Sequence, residues 1–180
     1  VRLLCAEAAY MPEGYAAVKS TVAALSEADM RADLLPIRTV GVQGDGRTYS
    51  YAVALSGKPD WPRLLAKARE IPNRVHDVNR VVYVFGQSLT EAPESVTPTH
   101  PTPEAVAQLR QADKIVNDIL QREGLVDRLA QVPVISFPLD FGQPGARSIA
   151  IRTFMTNDFM TGVPAEPGVD IPPAVLDEMV

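Results

Sequence analysis

Two stretches of extended-chain sequence joined by Gly44-Asp45-Gly46 leave this chain few choices of fold. Residues 35–43 are rich in β-branched side chains, and in residues 49–55 large apolar side chains alternate with small or polar ones. The tight turn that matches the twist of paired strands needs positive φ angles, which Asp and Gly tolerate. The sequence therefore predicts a strand, a turn and a second strand.

Helix and strand patterns flank this predicted hairpin. Before it, apolar residues recur at spacings of three and four, which predicts one face of a helix carrying Tyr15, Val18, Val22 and Leu25. After it, Asp60 is a suitable helix N-cap with Pro62 in the first turn. Residues 81–85 form a short apolar run, which predicts a strand buried on both faces.

The same order of elements starts again after the Pro- and Thr-rich residues 87–101. Thr102 and Pro103 open a helix pattern, residues 132–137 and 148–154 predict two strands, and Asp170 precedes a second helix that starts at prolines. The sequence therefore predicts an α+β fold of two tandem repeats of helix, strand, strand and helix, with a further strand closing the first repeat.

This pattern divides the chain into three parts. Residues 1–86 are predicted to form the first α+β module with the hairpin, residues 87–101 a linker, and residues 102–180 a second, truncated module. Because the second repeat stops inside its last helix, we expect a strand to follow Val180 and the chain to be a segment of a longer protein.

Charge and composition exclude several classes of protein. The formal charge is −5, and it changes from 11 basic against 9 acidic residues in 1–86 to 6 against 13 in 87–180, which argues against a nucleic-acid surface over the whole chain. No apolar run is longer than the five residues 81–85, so no membrane span is predicted. The single cysteine, Cys5, is expected to be buried, and with two histidines it offers no metal-binding spacing. We expect a reducing, cytoplasmic location.

One polar, glycine-rich segment, residues 41–49, has two interpretations. It is either a hairpin turn with a solvated arginine, or a loop in which backbone N–H groups and Arg47 face an anion while Asp45 accepts hydrogen bonds from hydroxyls or a base. Gln131, at a helix-to-strand junction, either points its amide into a cleft or is solvated. The sequence contains no phosphate-binding Gly-Lys-Ser/Thr loop, no nucleophile elbow and no His-Glu-x-x-His pair.

Long strings of this sequence resemble a known family. Residues 35–49, Leu-Pro-Ile-Arg-Thr-Val-Gly-Val-Gln-Gly-Asp-Gly-Arg-Thr-Tyr, and residues 78–83, Val-Asn-Arg-Val-Val-Tyr, are similar to the signature of the C-terminal dimerisation region of glutamine-hydrolysing GMP synthetases. Residues 147–154 and 158–162 resemble the longer form of that family, which carries two copies of this module.

The resemblance implies a ligase that aminates XMP to GMP with ammonia from glutamine, using ATP and Mg²⁺. It places the amidotransferase and the ATP pyrophosphatase in other domains of the same chain, so the region present here is expected to bind no cofactor and to be inactive alone. Its expected roles are dimerisation or assembly and part of the XMP site, without nucleic-acid or membrane partners. The alternative is a free-standing module that binds a small molecule or mediates oligomerisation.

The resemblance also implies roles for three residues. Asp45 would contact the ribose or base of XMP, Gln131 would contribute a side-chain amide, and Arg47 would support the loop. No catalytic residue and no metal ligand is expected in this chain. The family's nucleotide-binding tail, with its lysine and glutamate, would follow Val180.

Overall fold

The computed structural model describes residues 1–43, 46–86, 88–129, 131–156 and 162–180. Helices and strands are mixed along the chain, which confirms the α+β class. In order, the elements are β1 (Arg2–Leu3), α1 (Tyr15–Ala23), β2 (Met30–Gln43), β3 (Gly46–Gly57), α2 (Trp61–Arg74), β4 (Val78–Tyr83), α3 (Pro103–Arg122), β5 (Val134–Phe137), β6 (Ser148–Ile151), β7 (Phe154–Met155), β8 (Val163–Pro164) and α4 (Pro173–Met179).

These elements form two compact units. The first, which we call the hairpin unit, consists of residues 6–97 and 139–144, and the second, the α3 unit, consists of residues 1–5, 98–138 and 145–180. The order helix, strand, strand, helix occurs in both halves of the chain, but the second half inserts the β7–β8 pair before its last helix. The tandem repeat therefore stays a prediction.

The hairpin unit is built around a three-stranded sheet with the order β2-β3-β4. Strands β2 and β3 pair antiparallel from Met30 opposite Gly57 to Gln43 opposite Gly46, which confirms the predicted hairpin. After β3 the chain returns through α2, so that β4 pairs parallel to β3. Alternate residues of β2 and β3 join both helices in one core, because successive side chains of a strand point to opposite faces. This core includes Val22, Leu34, Val53, Leu55 and Ile71.

The opposite face of this sheet carries buried polar residues and is covered by the segment that follows β4. The hydroxyl of Ser56 accepts a hydrogen bond from the Leu89 N–H at 3.1 Å, and Arg31 Nη1 donates to the Thr90 carbonyl at 2.8 Å. Arg31 also pairs with the buried carboxylate of Asp33 at 2.6 Å. The buried side chains of Ser56 and Asp33 thus both have hydrogen-bond partners, as buried polar groups generally do.

Two expectations about burial were wrong. Strand β4 covers Val78–Tyr83 and is not buried on both faces: only Val78 is fully buried, because β4 pairs with β3 alone among the described strands and lies at the sheet edge. Phe85 lies past its end and packs against Trp61 and Tyr83. Cys5 is exposed and lies past the end of β1 at Leu3.

The three predicted helix starts are confirmed, two of them with a side-chain cap. The Asp60 carboxylate accepts from the Arg63 N–H at 3.2 Å, and the Thr102 hydroxyl accepts from the Ala105 N–H at 3.3 Å, so both cap their helices. Asp170 instead accepts from the Glu166 N–H at 2.8 Å, and α4 starts at two prolines without a side-chain cap.

The α3 unit has its own small sheet, in the order β1-β5-β6, with β1 parallel and β6 antiparallel to β5. Helix α3 buries one apolar stripe, which comprises Ala105, Leu109, Val116, Ile119 and Leu120. Among the described residues, no helix combines the length and apolarity needed to cross a bilayer.

Candidate functional site

The outer part of the β2–β3 hairpin extends beyond the three-stranded sheet. Strand β4 first pairs at Tyr51, whereas β2 and β3 continue as a two-stranded ribbon, residues 38–43 and 46–51, which we call the hairpin arm. At its base, the register shifts on both sides of β3: on β2 between Leu35 and Arg38, and on β4 next to Tyr51 and Ala52. A two-stranded ribbon is at best marginally stable in water, so the arm needs support from side chains.

Asn79, on β4, supplies part of this support by bonding to both strands of the arm. Its amide nitrogen donates to the Thr39 carbonyl at 2.8 Å and, more weakly, to the Thr48 carbonyl at 3.4 Å. Its amide oxygen accepts from the Thr39 hydroxyl at 2.5 Å. Gly41 lies under this amide: a Cβ there would be 2.9 Å from Asn79 Nδ2 and 3.0 Å from Asn79 Cβ. The absence of a side chain at Gly41 therefore makes room for Asn79.

Two arginines bind the backbone of the same arm. Arg38 Nε and Nη2 donate to the Tyr49 carbonyl at 3.1 and 2.5 Å, and its guanidinium lies 4.9 Å from the Tyr10 ring centre and 5.7 Å from that of Tyr49. Arg80 Nη2 donates to the Val40 carbonyl at 2.9 Å. Each strand of the arm thus has a carbonyl held by a charged donor, and such hydrogen bonds are stronger than neutral ones.

A cleft of about 300 Å³ opens beside the base of the arm. Its lining includes Tyr10, Tyr49 and Tyr51, the basic residue Arg38 and the acidic residues Glu13 and Asp77. Burial raises the pKa of the Tyr51 hydroxyl above its ordinary value of 10. The cleft therefore combines aromatic residues that carry hydroxyls with one basic and two acidic residues.

The predicted site residues lie in different places. Asp45 lies outside the described residues. Arg47 lies on β3 in the arm, opposite Val42, and is exposed. Gln131 lies in the α3 unit, where its backbone exchanges hydrogen bonds with Phe154 at 3.0 and 3.5 Å and its side chain is exposed. Neither Arg47 nor Gln131 lines the cleft.

Asn79 is the residue whose role the sequence analysis missed. The sequence contained a signal for it, since a strand interior disfavours asparagine and this one lies two residues before the apolar run 81–85. Its partners, however, lie 31 and 40 positions away in the chain. Across the described residues, no group of three or more His, Cys, Asp or Glu side chains is arranged to hold a metal ion.

Comparison with known proteins identifies relatives of this chain. A GMP synthase (glutamine-hydrolyzing) of Dictyostelium discoideum is 50% identical over 154 residues, which cover 77% of this chain and 21% of the relative. A protein of Caenorhabditis elegans named as a probable GMP synthase is 43% identical over 167 residues, 82% of this chain and 22% of the relative. The chain is homologous to a part of glutamine-hydrolysing GMP synthases.

The resemblance to GMP synthases that the sequence indicated is therefore confirmed. A further relative, named as a probable GMP synthase of Leptospira interrogans, is 32% identical over 130 residues, or 71% of this chain. The chain spans about a fifth of the length of these GMP synthases. No protein-family model matches it.

Proposed function

We propose that this chain is a non-catalytic region of a glutamine-hydrolysing GMP synthase, an ATP-dependent ligase that aminates XMP to GMP. The observation that supports the proposal is the pattern of coverage: similarity extends over 77–82% of this chain but only 21–22% of the relatives. The rest of such an enzyme has ample length for the amidotransferase and the ATP pyrophosphatase. This region would serve assembly and contribute to the XMP site.

We expect the other regions of the enzyme to bind ATP and Mg²⁺, as the resemblance implies. The chain's own contribution would be to bind and orient XMP.

Three residues would make or support the contacts with XMP. Asp45 would accept hydrogen bonds from the ribose hydroxyls or the purine N–H groups, and Gln131 would add an amide. Arg47 would support the loop from the arm, where its position on β3 keeps it exposed. The hydrogen bonds that Arg38, Asn79 and Arg80 donate to the backbone of the arm support this proposal. They fix the arm before XMP binds, so that binding costs less conformational entropy.

The test is the Asp45→Ala variant of the complete protein. A hydrogen bond to a charged group contributes about 1.5 to 3 kcal/mol, so we expect the KM for XMP to rise by about tenfold or more, with the melting temperature unchanged. Asp127→Ala, which removes an exposed carboxylate from a turn of the α3 unit, is the matched control. An unchanged KM in Asp45→Ala would remove Asp45 from the site.

Gln131 is tested separately by Gln131→Ala in the same assay, because it lies in the other compact unit. We expect a smaller rise in KM than for Asp45→Ala, since a neutral amide forms weaker hydrogen bonds than a carboxylate. A KM equal to that of the parent protein would show that the amide is only solvated.

The proposal also covers assembly. We propose that residues 1–86 and 102–180 are two copies of one module joined by residues 87–101, and that the region self-associates. Light scattering of the 180-residue chain is expected to report a dimer, and a monomer would contradict self-association by this region. The isolated chain is expected to bind XMP weakly and to form no GMP.

A further inference from the structure

The side chain of Asn79 is placed by an irregularity of the sheet. Along β4, Val78 pairs with Tyr51 and Arg80 pairs with Ala52, so Asn79 is an extra residue with no partner of its own on β3. Such bulges redirect a side chain and are frequent beside functional sites. Here the bulge coincides with the register shift on β2, at the base of the hairpin arm.

The hydrogen-bonding pattern of Asn79 requires an amide. Two backbone carbonyls, those of Thr39 and Thr48, face its nitrogen, and carbonyls only accept. The Thr39 hydroxyl donates to its oxygen at 2.5 Å. The amide therefore holds Thr39 of β2 through both of its polar atoms, and its nitrogen also reaches Thr48 of β3 at 3.4 Å. A carboxylate of the same shape would place negative charge against two carbonyl oxygens.

Sheet stability alone does not account for this residue. Asparagine is disfavoured in strands, and a β-branched side chain would suit the half-buried position better. The amide adds a hydrogen-bonded link between the two strands of the arm. This link reaches the pair of Gly41 and Thr48, which lies beyond the last residue of β3 that pairs with β4. From that pair to the last pair of the ladder, Gln43 and Gly46, only one further pair intervenes.

We propose that Asn79 is a positioning residue for substrate binding: its amide braces the hairpin arm and sets the direction in which the arm presents Arg47 to XMP. The consequence for XMP rests on the function proposed above. The bracing itself rests only on the bonds to Thr39 and Thr48 and on the close approach of Gly41.

The complete protein is tested as two variants that disturb the brace in different ways. Asn79→Asp keeps the shape of the side chain and removes both of its donors. Gly41→Ala keeps the Asn79 side chain but puts a Cβ 2.7 Å from Thr48 Oγ1 and 2.9 Å from Asn79 Nδ2, so the contact between these two residues has to shift. The matched control is Tyr83→Phe, which deletes a 2.7 Å hydrogen bond from β4 to the Gly57 carbonyl of β3 at the other end of the sheet.

Two measurements are made on each variant: amide hydrogen exchange by residue, and the KM and kcat for XMP. We expect Asn79→Asp and Gly41→Ala to speed exchange of residues 38–43 and 46–50 by about tenfold, while residues 52–55 exchange as in the parent protein. The KM for XMP should rise about fivefold or more, with a smaller change in kcat. Tyr83→Phe should change neither arm exchange nor KM.

The outcomes separate the two proposals. Arm exchange at the parental rate in both brace variants, or equal effects in Tyr83→Phe, would overturn the inference about Asn79. Asp45→Ala is assayed in parallel. If it leaves KM unchanged while the brace variants speed arm exchange, the bracing is supported and the XMP role of the arm fails. If it raises KM but the brace variants match the parent in both measurements, the XMP role stands and the positioning role falls.

Discussion

The hydroxyl of Tyr15 makes a buried hydrogen bond whose contribution to stability can be worked out in advance. Tyr15 is 6% exposed, its ring packs edge-on against Tyr51, and its hydroxyl donates to the Leu34 carbonyl at 3.2 Å. Tyr15→Phe keeps the ring and leaves that buried carbonyl without this donor. We expect the free energy of unfolding to fall by about 1 to 2 kcal/mol near neutral pH.

The same burial makes a second, pH-dependent prediction. Burial is the largest cause that raises the pKa of Tyr15, from 10.0 to about 12, because the phenolate would lose its hydration. The unfolded state then releases the proton first, so the stabilisation is complete below pH 10 and is lost as the pH rises towards 12. At pH 11 this single group lowers the free energy of unfolding by roughly 1 kcal/mol relative to pH 8.

Urea unfolding of the 180-residue chain at pH 8 and pH 11, for the parent protein and for Tyr15→Phe, measures both effects. Burial also raises the pKa of Tyr51 and Tyr83, so the parent protein loses further stability in alkali. The difference in slope between the two proteins isolates Tyr15. Tyr10→Phe, which changes an exposed ring beside Tyr51, is the control and should be within about 0.5 kcal/mol of the parent at pH 8. Equal losses on going to pH 11 in the parent and in Tyr15→Phe would refute the reasoning.

Three further predictions concern stability. Gly57→Ala should lower the free energy of unfolding by more than about 1 kcal/mol, because φ is +131° and the new Cβ would lie 2.2 Å from a backbone oxygen. Gly86→Ala is the control: its φ is +94° but the space around it is open, so it should cost only the backbone strain. Equal losses of stability in urea unfolding of the two variants would contradict this prediction. Thr102→Ala should cost about 1 kcal/mol by removing the cap of α3, read as a lower melting temperature, whereas Thr102→Ser should retain it. Hydrogen bonds from Lys67 and Arg63 lower the pKa of Glu27 below 4.5. The contribution of this carboxylate to stability is therefore present above pH 4.5 and is lost on further acidification. Glu27→Gln should lose less stability than the parent protein between pH 5 and pH 3.

The hairpin shows how far local sequence patterns reach. Its turn chemistry and alternating side chains predicted both strands, and the Asp60 and Thr102 side chains predicted two helix starts. Each of these features depends on residues within a few positions of one another. The register shift after Leu35 was not predicted, although Pro36 lies in it and prolines within strands are typical of bulges and edges.

The candidate site could be predicted from the sequence only in part. Arg47 and Gln131 were selected from their sequence context and from the resemblance; both are exposed, and their contact with XMP stays a prediction. Asn79 was missed because its importance lies in two strands that it meets only after α2 has carried the chain back to the sheet. The identity of a polar residue was visible in the sequence, but its hydrogen-bonding partners were not.

The sequence by itself determined the α+β class, the hairpin, the two capped helices and the similarity to GMP synthases, because turn geometry, capping and apolar periodicity act between near neighbours. Only the tertiary structure decided that β4 lies at the sheet edge, that Cys5 is exposed and that Asn79 braces the arm. Those outcomes depend on strand order and on where the registers shift. Strand order is set by contacts between residues distant in the chain, such as those between β4 and the arm, 31 and 40 positions apart, and local patterns do not encode it.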